Sequence, residues 1–432
     1  MYTSTLQIVQ KSLKYLSKYN FFTDVNNGTL VYNSLTGAII FLEKDTYLKL
    51  INDRFNELPN DYQLTLIKNG IVVNFDELEY IQNARTHLIE KNDRLNLTIL
   101  TTTNCNARCY YCYEHGIKHS DMSISTADKI ITFVKSNIQS RKLHITWFGG
   151  EPLINREIIT YTSIALKKEQ INFSASIITN GLLVKDLQQN DFKVWNLTKA
   201  QITLDGIFEN YNDIKNYVEC KDSAFNYVIN NIEKMISWGI YVSIRLNFNP
   251  SEYSNALTTI DYLYRKFGNN KYLRIYVSNI NDSNVILPND QDPRKNAFIE
   301  LYKKLLDCGY INNLYDLQLK QKMIYCGNIR DNFVVIDPEG ILYKCEHSVN
   351  CHSEAFGTIF DNNYNNENLA KWKNTLYPYD ECFQCKCLPI CQGGCKALVF
   401  YNGRKSNCIQ IKEVIPDIVK LYYLHLANKN PK

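Results

Sequence analysis

The chain has 432 residues, 45% hydrophobic and 21% charged, the balance of an ordinary globular protein with room for more than one domain and a large core. A formal net charge of +4 is small for this length and argues against nucleic acid as the main partner. No apolar run approaches the roughly 18 residues a membrane span needs, and Met1-Tyr2-Thr3-Ser4-Thr5 is not the basic-then-apolar opening of a secretory signal, so a cytoplasmic protein without membrane partners is expected. Fourteen cysteines in a reducing compartment are poor disulfide candidates and good metal candidates. Three fall between 105 and 112 and nine between 326 and 408, while Cys220 and Cys308 stand alone and read as small buried apolar residues.

Residues 1–92 contain no cysteine. A strand at Gly28–Asn33, the turn Ser34-Leu35-Thr36-Gly37 and a strand at Ala38–Leu42 open the readable pattern. Tyr47, Leu48, Leu50, Ile51 and Phe55 have helical spacing, and a second helix over Tyr62–Lys68 ends at Gly70. A short strand, Ile71-Val72-Val73, and a helix from Asp76 to Ile89 follow. Helices beside a small sheet predict a winged-helix-like domain whose free edge can accept an extended peptide as one more strand. The alternative is a plain capping domain.

From Leu95 short strands alternate with helices. The strands are expected at Leu95–Leu100, His144–Trp147, Ala175–Ile178, Ala200–Leu204, Tyr241–Phe248 and Leu273–Ser278. The helices between them are expected at Ser125–Ile138, Glu157–Lys168, Val184–Val194, Ala224–Trp238 and Ala256–Phe267, with Ser123 or Ser125 capping the first and Gly239 ending the fourth. Such repeats build parallel sheets by right-handed crossovers, and six of them predict an α/β fold with a partial (β/α)6 barrel over 93–310.

Directly after the first strand comes Thr103-Asn104-Cys105-Asn106-Ala107-Arg108-Cys109-Tyr110-Tyr111-Cys112-Tyr113, a C-x3-C-x2-C loop. Three thiolates on one loop can hold three irons of a four-iron cluster and leave the fourth open to a ligand. A zinc loop is the alternative, although zinc usually takes paired C-x2-C knuckles. Sites in parallel α/β folds lie at the carboxyl ends of strands. The same edge receives Gly149-Gly150-Glu151-Pro152, Thr179-Asn180-Gly181 and Asp205-Gly206, with Arg245 and Asn247 late in the fifth strand. A Gly-Gly turn allows close backbone approach to a ligand. Glu151 and nearby carbonyls suit an ammonium group, Asn180 and Asn247 a ribose, and Arg245 a carboxylate.

The motif Cys105-x3-Cys109-x2-Cys112, with Tyr111 before the last cysteine, resembles the radical S-adenosylmethionine (SAM) superfamily. Gly149-Gly150-Glu151-Pro152 resembles that family's motif for the methionine amino group. The resemblance implies that SAM chelates the open iron of a [4Fe-4S] cluster, that its reductive cleavage yields a 5′-deoxyadenosyl radical, and that this radical abstracts a substrate hydrogen. It also implies that Tyr111 touches the adenine, with Asn180, Arg245 and Asn247 near the ribose or carboxylate.

After about residue 320 the cysteines return. Cys326 is followed by thirteen residues, Gly340, four residues and Cys345; then come Cys382-x2-Cys385-x5-Cys391-x3-Cys395, twelve residues and Cys408. Seven thiolates exceed what one metal needs and nearly fill two further four-iron clusters. This pattern resembles the SPASM domain of radical enzymes that modify peptides and proteins, here expected over 311–432. The resemblance implies Cys382, Cys385, Cys391 and Cys408 on one auxiliary cluster and Cys326, Cys345 and Cys395 on the other, three [4Fe-4S] clusters in all. The eighth ligand is open: Cys351, Cys308, Cys387 or a substrate thiolate. In sulfatase-maturating relatives an Asp at the place of Glu346 acts as a base, so Glu346 is a candidate catalytic base, with His347 and His352 as further proton carriers. By the same resemblance, residues 1–92 are similar to the leader-peptide recognition module of enzymes that act on ribosomally made peptides.

Three functions compete. The first is a peptide maturase that binds a precursor peptide and makes a cross-link or related modification, using an external reductant such as flavodoxin or ferredoxin. The second is a protein-modifying enzyme of the sulfatase-maturating type, forming formylglycine. A non-catalytic iron–sulfur carrier is the third, and the Gly149–Pro152 stretch argues against it, because a carrier needs no amino-group site.

Overall fold

A computed structural model describes residues 14–91, 93–114, 116–138, 142–220, 223–280, 293–361, 363–374, 380–402, 408–409 and 411–429. The Met1–Thr5 opening lies outside the described residues. Among the described residues no helix is long and apolar enough to cross a membrane.

The amino-terminal unit contains β1 (Tyr15–Leu16), β2 (Asn20–Val25), β3 (Gly28–Asn33), β4 (Ile39–Glu43), α1 (Lys44–Ile51), α2 (Asn60–Lys68), β5 (Val72–Val73) and α3 (Glu77–Glu90). β2, β3 and β4 form an antiparallel sheet with β3 central, and β1 pairs with β5. Asp76 caps α3 by accepting from the Leu78 and Glu79 amides. β2 was not read from the sequence. Its Phe21, Phe22 and Thr23 are all half-buried, so no in–out alternation marks it.

The central unit runs β6 (Arg94–Thr102), α4 (Ile124–Ile138), β7 (Lys142–Gly149), α5 (Arg156–Lys168), β8 (Phe173–Thr179), α6 (Gln189–Val194), β9 (Leu197–Leu204), α7 (Phe208–Lys215), α8 (Ala224–Ser237), β10 (Tyr241–Phe248), α9 (Tyr253–Phe267), β11 (Leu273–Asn279) and α10 (Pro293–Asp307). Strands β6 to β11 pair in parallel, each with its neighbour in sequence, and the sheet does not close on itself. One face of each strand is fully buried under the helices: Leu143, Ile145 and Trp147 of β7 meet the apolar stripes of α4 and α5. On β7 to β11 the other face is mostly polar and half-buried, whereas β6 is buried on both faces over most of its length. His144 bonds Ser174 and Ser176 at 2.9 and 3.1 Å, and Tyr276 donates to Gln201 at 2.9 Å. A parallel sheet covered on both faces reads as continuous apolar runs. This alternation marks a concave side left for something polar.

Two expectations change in detail. Ser123, not Ser125, caps α4, by accepting from the Thr126 amide at 3.1 Å. The single helix expected at Val184–Val194 is a 3-10 turn (Leu182–Asp186) followed by α6, because Leu187 and Gln188 are extended and Asp191 accepts from the Gln188 amide to start afresh. α7 is short and polar, with only Tyr211 and Lys215 buried, and carries no apolar period to read.

The carboxyl-terminal unit continues the same sheet. β12 (Phe333–Ile336) pairs in parallel with β6, on the side away from β7, and β13 (Ile341–Tyr343) and β14 (Gly357–Thr358) extend it antiparallel. α11 (Asn366–Asn374), α12 (Leu388–Cys391), α13 (Lys396–Asn402) and α14 (Ile415–Lys429) follow. α14 lies against β2 and β3. The amino-terminal unit is docked here: the Tyr32 hydroxyl donates to the Leu319 carbonyl at 2.5 Å, Ser34 donates to the Lys386 carbonyl at 2.6 Å, and Leu35 and Ile81 pack on Leu388.

Candidate active site

The C-x3-C-x2-C loop leaves the carboxyl end of β6 and is laced to its neighbours on two sides. On one side the Gly150 amide donates to Thr102 O and the Glu151 amide to Asn104 O, at 3.1 and 2.9 Å. A Cβ on Gly149 would collide with the Thr102 carbonyl and one on Gly150 with the Asn104 carbonyl; Gly149 also has φ +133°. The glycine pair is therefore required by the approach of β7's end to the cysteine loop itself. On the other side the Arg108 amide donates to Lys215 O at 2.9 Å, the Val218 amide to Asn106 O at 2.9 Å, and Cys109 Sγ lies 3.8 Å from Lys215 O. Cys105, Cys109 and Cys112 are each half-buried. Burial, then Glu151 and the other two thiols, push Cys105 up to about 12. A thiol so placed ionises only with a strong positive partner, which a metal cluster supplies.

Glu151 is fully buried. Its carboxylate accepts from the Leu153 amide (3.1 Å), the Thr179 hydroxyl (2.7 Å) and the Asn180 amide (2.8 Å). Burial outweighs these donors and pushes it up to about 7. Pro152 O accepts from Thr101 Oγ1 at 2.9 Å. Asn180 Nδ2 donates to Asn106 Oδ1 inside the loop at 2.7 Å, so Asn180 touches the cysteine loop directly. Arg245 is fixed by Asn247 Oδ1 (3.0 Å) and Ser278 Oγ (3.1 Å) on the concave face.

Two residues at this edge escaped sequence reasoning. Asp205, seen only as part of a turn, accepts from the Tyr111 hydroxyl and pairs with Lys215 at 2.6 Å. Lys215 also donates to the Tyr111 hydroxyl at 3.0 Å. Both charged side chains are 3% or less exposed. Burial opposes the charge on Lys215, but Asp205 and Tyr111 more than offset it and hold the ammonium ion. The Asp-Gly pair after a strand was a weak signal for Asp205. A lysine on a short polar helix gives none.

The later cysteines gather in two cavities. Cys326, Cys345 and Cys395 line one, together with Arg85, Trp372 and Lys396. Cys382, Cys385, Cys391 and Cys408 line another, with Cys387 and Lys412. Of the candidates for an eighth ligand, Cys387 thus belongs to the second cavity. Cys308 is buried beside Lys304 and Asp261, Cys351 is exposed, and neither lines the first. Cys220, expected to be buried, is half-exposed 3.8 Å from Lys185 Nζ. Burial pushes Cys326 and Cys391 up to about 12 each and Lys396 down to about 7, Arg85 adding to the last. Among the described residues no three Cys, His, Asp or Glu side chains close on a single point as one tetrahedral ion needs. A four-iron cubane spreads its ligands around a larger body, and the cavities suit that.

Glu346 follows Cys345 on a 3-10 turn and is half-buried. That turn meets the end of the cysteine loop: the His347 ring stacks on Tyr113 with centroids 4.0 Å apart. Glu114 in the same place is pushed up to about 7 by burial, with Glu346 adding. His352 sits on a separate turn, toward Asp337.

Residues 99–263 match the radical SAM superfamily. The chain carries a radical SAM domain. The chemistry of that domain uses a [4Fe-4S] cluster and SAM. Over 96% of its length the chain is 23% identical to the radical SAM cyclopropyl synthase TigE of Paramaledivibacter caminithermalis, covering 96% of that protein. Over 75% of its length it is 25% identical to a cysteine-type anaerobic sulfatase-maturating enzyme of Clostridium novyi, covering 95% of it. The fold is similar to that of Streptococcus suis SuiB bound to precursor peptide SuiA, with a TM-score of 0.50 at 13% identity, covering 93% of this chain and 100% of SuiB. The matched span holds the three-cysteine loop and most of strands β6 to β10, and the residues lining the thiol cavities lie outside it.

Proposed function

We propose that this radical SAM enzyme is a peptide maturase that abstracts a hydrogen atom from a residue of a ribosomally made precursor peptide, leading to a cross-link or related modification. The observation that carries the proposal is the contact of Tyr113, at the end of the cysteine loop, with His347 on the turn that carries Glu346. Similarity to TigE over nearly the whole chain, and to the fold of a precursor-bound enzyme, supports it. A [4Fe-4S] cluster and SAM, held by the residues below, would supply the hydrogen-abstraction chemistry.

The chain's own residues bind and orient. Cys105, Cys109 and Cys112 hold three irons. Glu151 and the carbonyls beside Gly149 and Gly150 face the methionine ammonium, with Pro152 fixing the turn. Tyr111, pinned by Asp205 and Lys215, carries the adenine. Asp205 Oδ1 is buried without a hydrogen-bond partner among the described residues, an acceptor suited to a ribose hydroxyl beside Asn180. Arg245 and Asn247 on the concave face complete the SAM site from β10. Two auxiliary clusters occupy the thiol cavities, Glu346 takes a substrate proton, and flavodoxin or ferredoxin in a reducing cytoplasm supplies electrons.

The unit spanning 1–92 holds the leader. With β2 against α14, the outer strand is β4, and its Phe41 is exposed. Phe41 offers an apolar side chain to an added strand. A sulfatase-maturating activity is the second reading, favoured by the Clostridium novyi relative. Glu346 in place of Asp, and the amino-terminal unit, weigh against it. Mass spectrometry of a precursor co-expressed with the enzyme tests the choice. A mass change on the peptide supports maturation, and formylglycine on a co-expressed sulfatase with an unmodified peptide overturns it. Cys109→Ala abolishes 5′-deoxyadenosine formation if the site is assigned correctly.

A further inference from the structure

The helix α3 belongs to the amino-terminal unit in sequence, and its buried stripe leads from that unit, where Glu77 accepts from Ser17, onto the thiol-rich one. Glu77, Ile81 and Arg85 recur every four residues on one face. Leu78 and Ile81 pack with Leu388 and Cys382, which puts the helix beside the second cavity. One turn further on, Arg85 lines the first cavity with Cys326, Cys345 and Cys395 and is only 2% exposed. Lys396, anchored by the Trp372 carbonyl at 2.7 Å, lines the same cavity. A four-iron cluster bound by those three thiolates would be an anion, and Arg85 sets a guanidinium on the wall that would face it.

We propose that Arg85 is a positioning residue for the auxiliary cluster held by Cys326, Cys345 and Cys395, raising its reduction potential and making the amino-terminal unit part of that redox site. This rests on the reading that those three cysteines hold a cluster. A fixed positive charge beside a cluster stabilises the reduced form, which carries one more negative charge, more than the oxidised form. The electron that leaves the substrate radical after bond formation then has a better acceptor. Guanidinium suits the place because it stays charged when buried. The segment that reads the leader would be rigidly joined, through α3, to the site that takes the electron.

The test uses the full-length enzyme reconstituted anaerobically and a redox titration followed by electron paramagnetic resonance. Arg85→Met keeps the aliphatic stem and removes the charge. The expected result is unchanged iron and one cluster whose reduced-to-oxidised ratio falls about tenfold at a fixed poise, which is about 59 mV for a one-electron couple. Arg85→Lys restores most of the shift. Loss of about four irons in Arg85→Met but not in Arg85→Lys also supports the role of charge. Unchanged potentials at full iron content overturn the proposal, and so does loss of iron in both variants, which would make Arg85 a packing residue. Cys345→Ala separates the two failures: if it removes no iron, the cluster reading itself falls and the role of Arg85 with it.

Discussion

The Lys215–Asp205 pair offers the sharpest test of how the site is held. Its Nζ–O distance is 2.6 Å, the same as that of Lys135 and Glu169 on the surface. Burial is the main difference between the two pairs: the side chains of the first are 3% and 2% exposed, those of the second 53% and 42%. Lys215→Met leaves the Asp205 carboxylate buried with no cation. Breaking one partner of a buried pair costs about 3–5 kcal/mol, whereas an exposed pair is worth about 0–1 kcal/mol. Lys135→Met is therefore the control. Lys215→Met/Asp205→Asn removes both charges, keeps a polar partner for Tyr111, and should regain most of the loss. Urea unfolding followed by tryptophan fluorescence reads the result, because Trp147 and Trp195 are buried in the central core. Lys215 Nζ also donates to the Tyr111 hydroxyl on the cysteine loop, so 5′-deoxyadenosine formation should fall in the single variant and partly recover in the double. Equal losses for Lys215→Met and Lys135→Met, or a double variant worse than the single, would refute the idea that a buried ion pair secures the loop.

Gly150→Ala should lower iron content and SAM cleavage together, because its Cβ meets the Asn104 and Thr103 carbonyls of the cysteine loop; an iron assay at wild-type values would exclude this. Affinity for SAM should rise as pH increases through about 7, where Glu151 loses its proton and gains a charge to attract the ammonium; Glu151→Gln should flatten the profile in calorimetric titration. Phe41→Lys on β4 should weaken binding of a fluorescent precursor at unchanged iron content, whereas deleting residues 1–90 should lower both, since it strips Ile81 and Arg85 from the thiol-rich unit. Glu346→Gln should retain 5′-deoxyadenosine formation and lose the modified peptide, as followed by chromatography and mass spectrometry.

What could be read from the sequence was what chemistry or periodicity restricts to few residue types. The six strands of the central sheet appear in the expected order because each buries an alternate row of mostly apolar side chains under a helix, and that row leaves a pattern. The cysteine spacings were visible because few other side chains can do their work. Contacts set by the meeting of distant segments left no such trace. The parallel pairing of β12 with β6 joins residues more than two hundred positions apart, and nothing in Phe333–Ile336 names its partner. Lys215 has the local signature of a solvent-facing lysine and becomes buried only because α7 returns to the cysteine loop. Arg85 sits in an ordinary helical stripe. The glycine pair is the instructive intermediate case: its need for close approach was legible, but the approaching group is the chain's own Thr102–Asn104 backbone. A small-residue motif states how much space is absent and leaves unnamed what fills it. Here the same contact that excludes a side chain at Gly150 also ties the amino-group turn to the cysteine loop, so displacement of either one must displace the other.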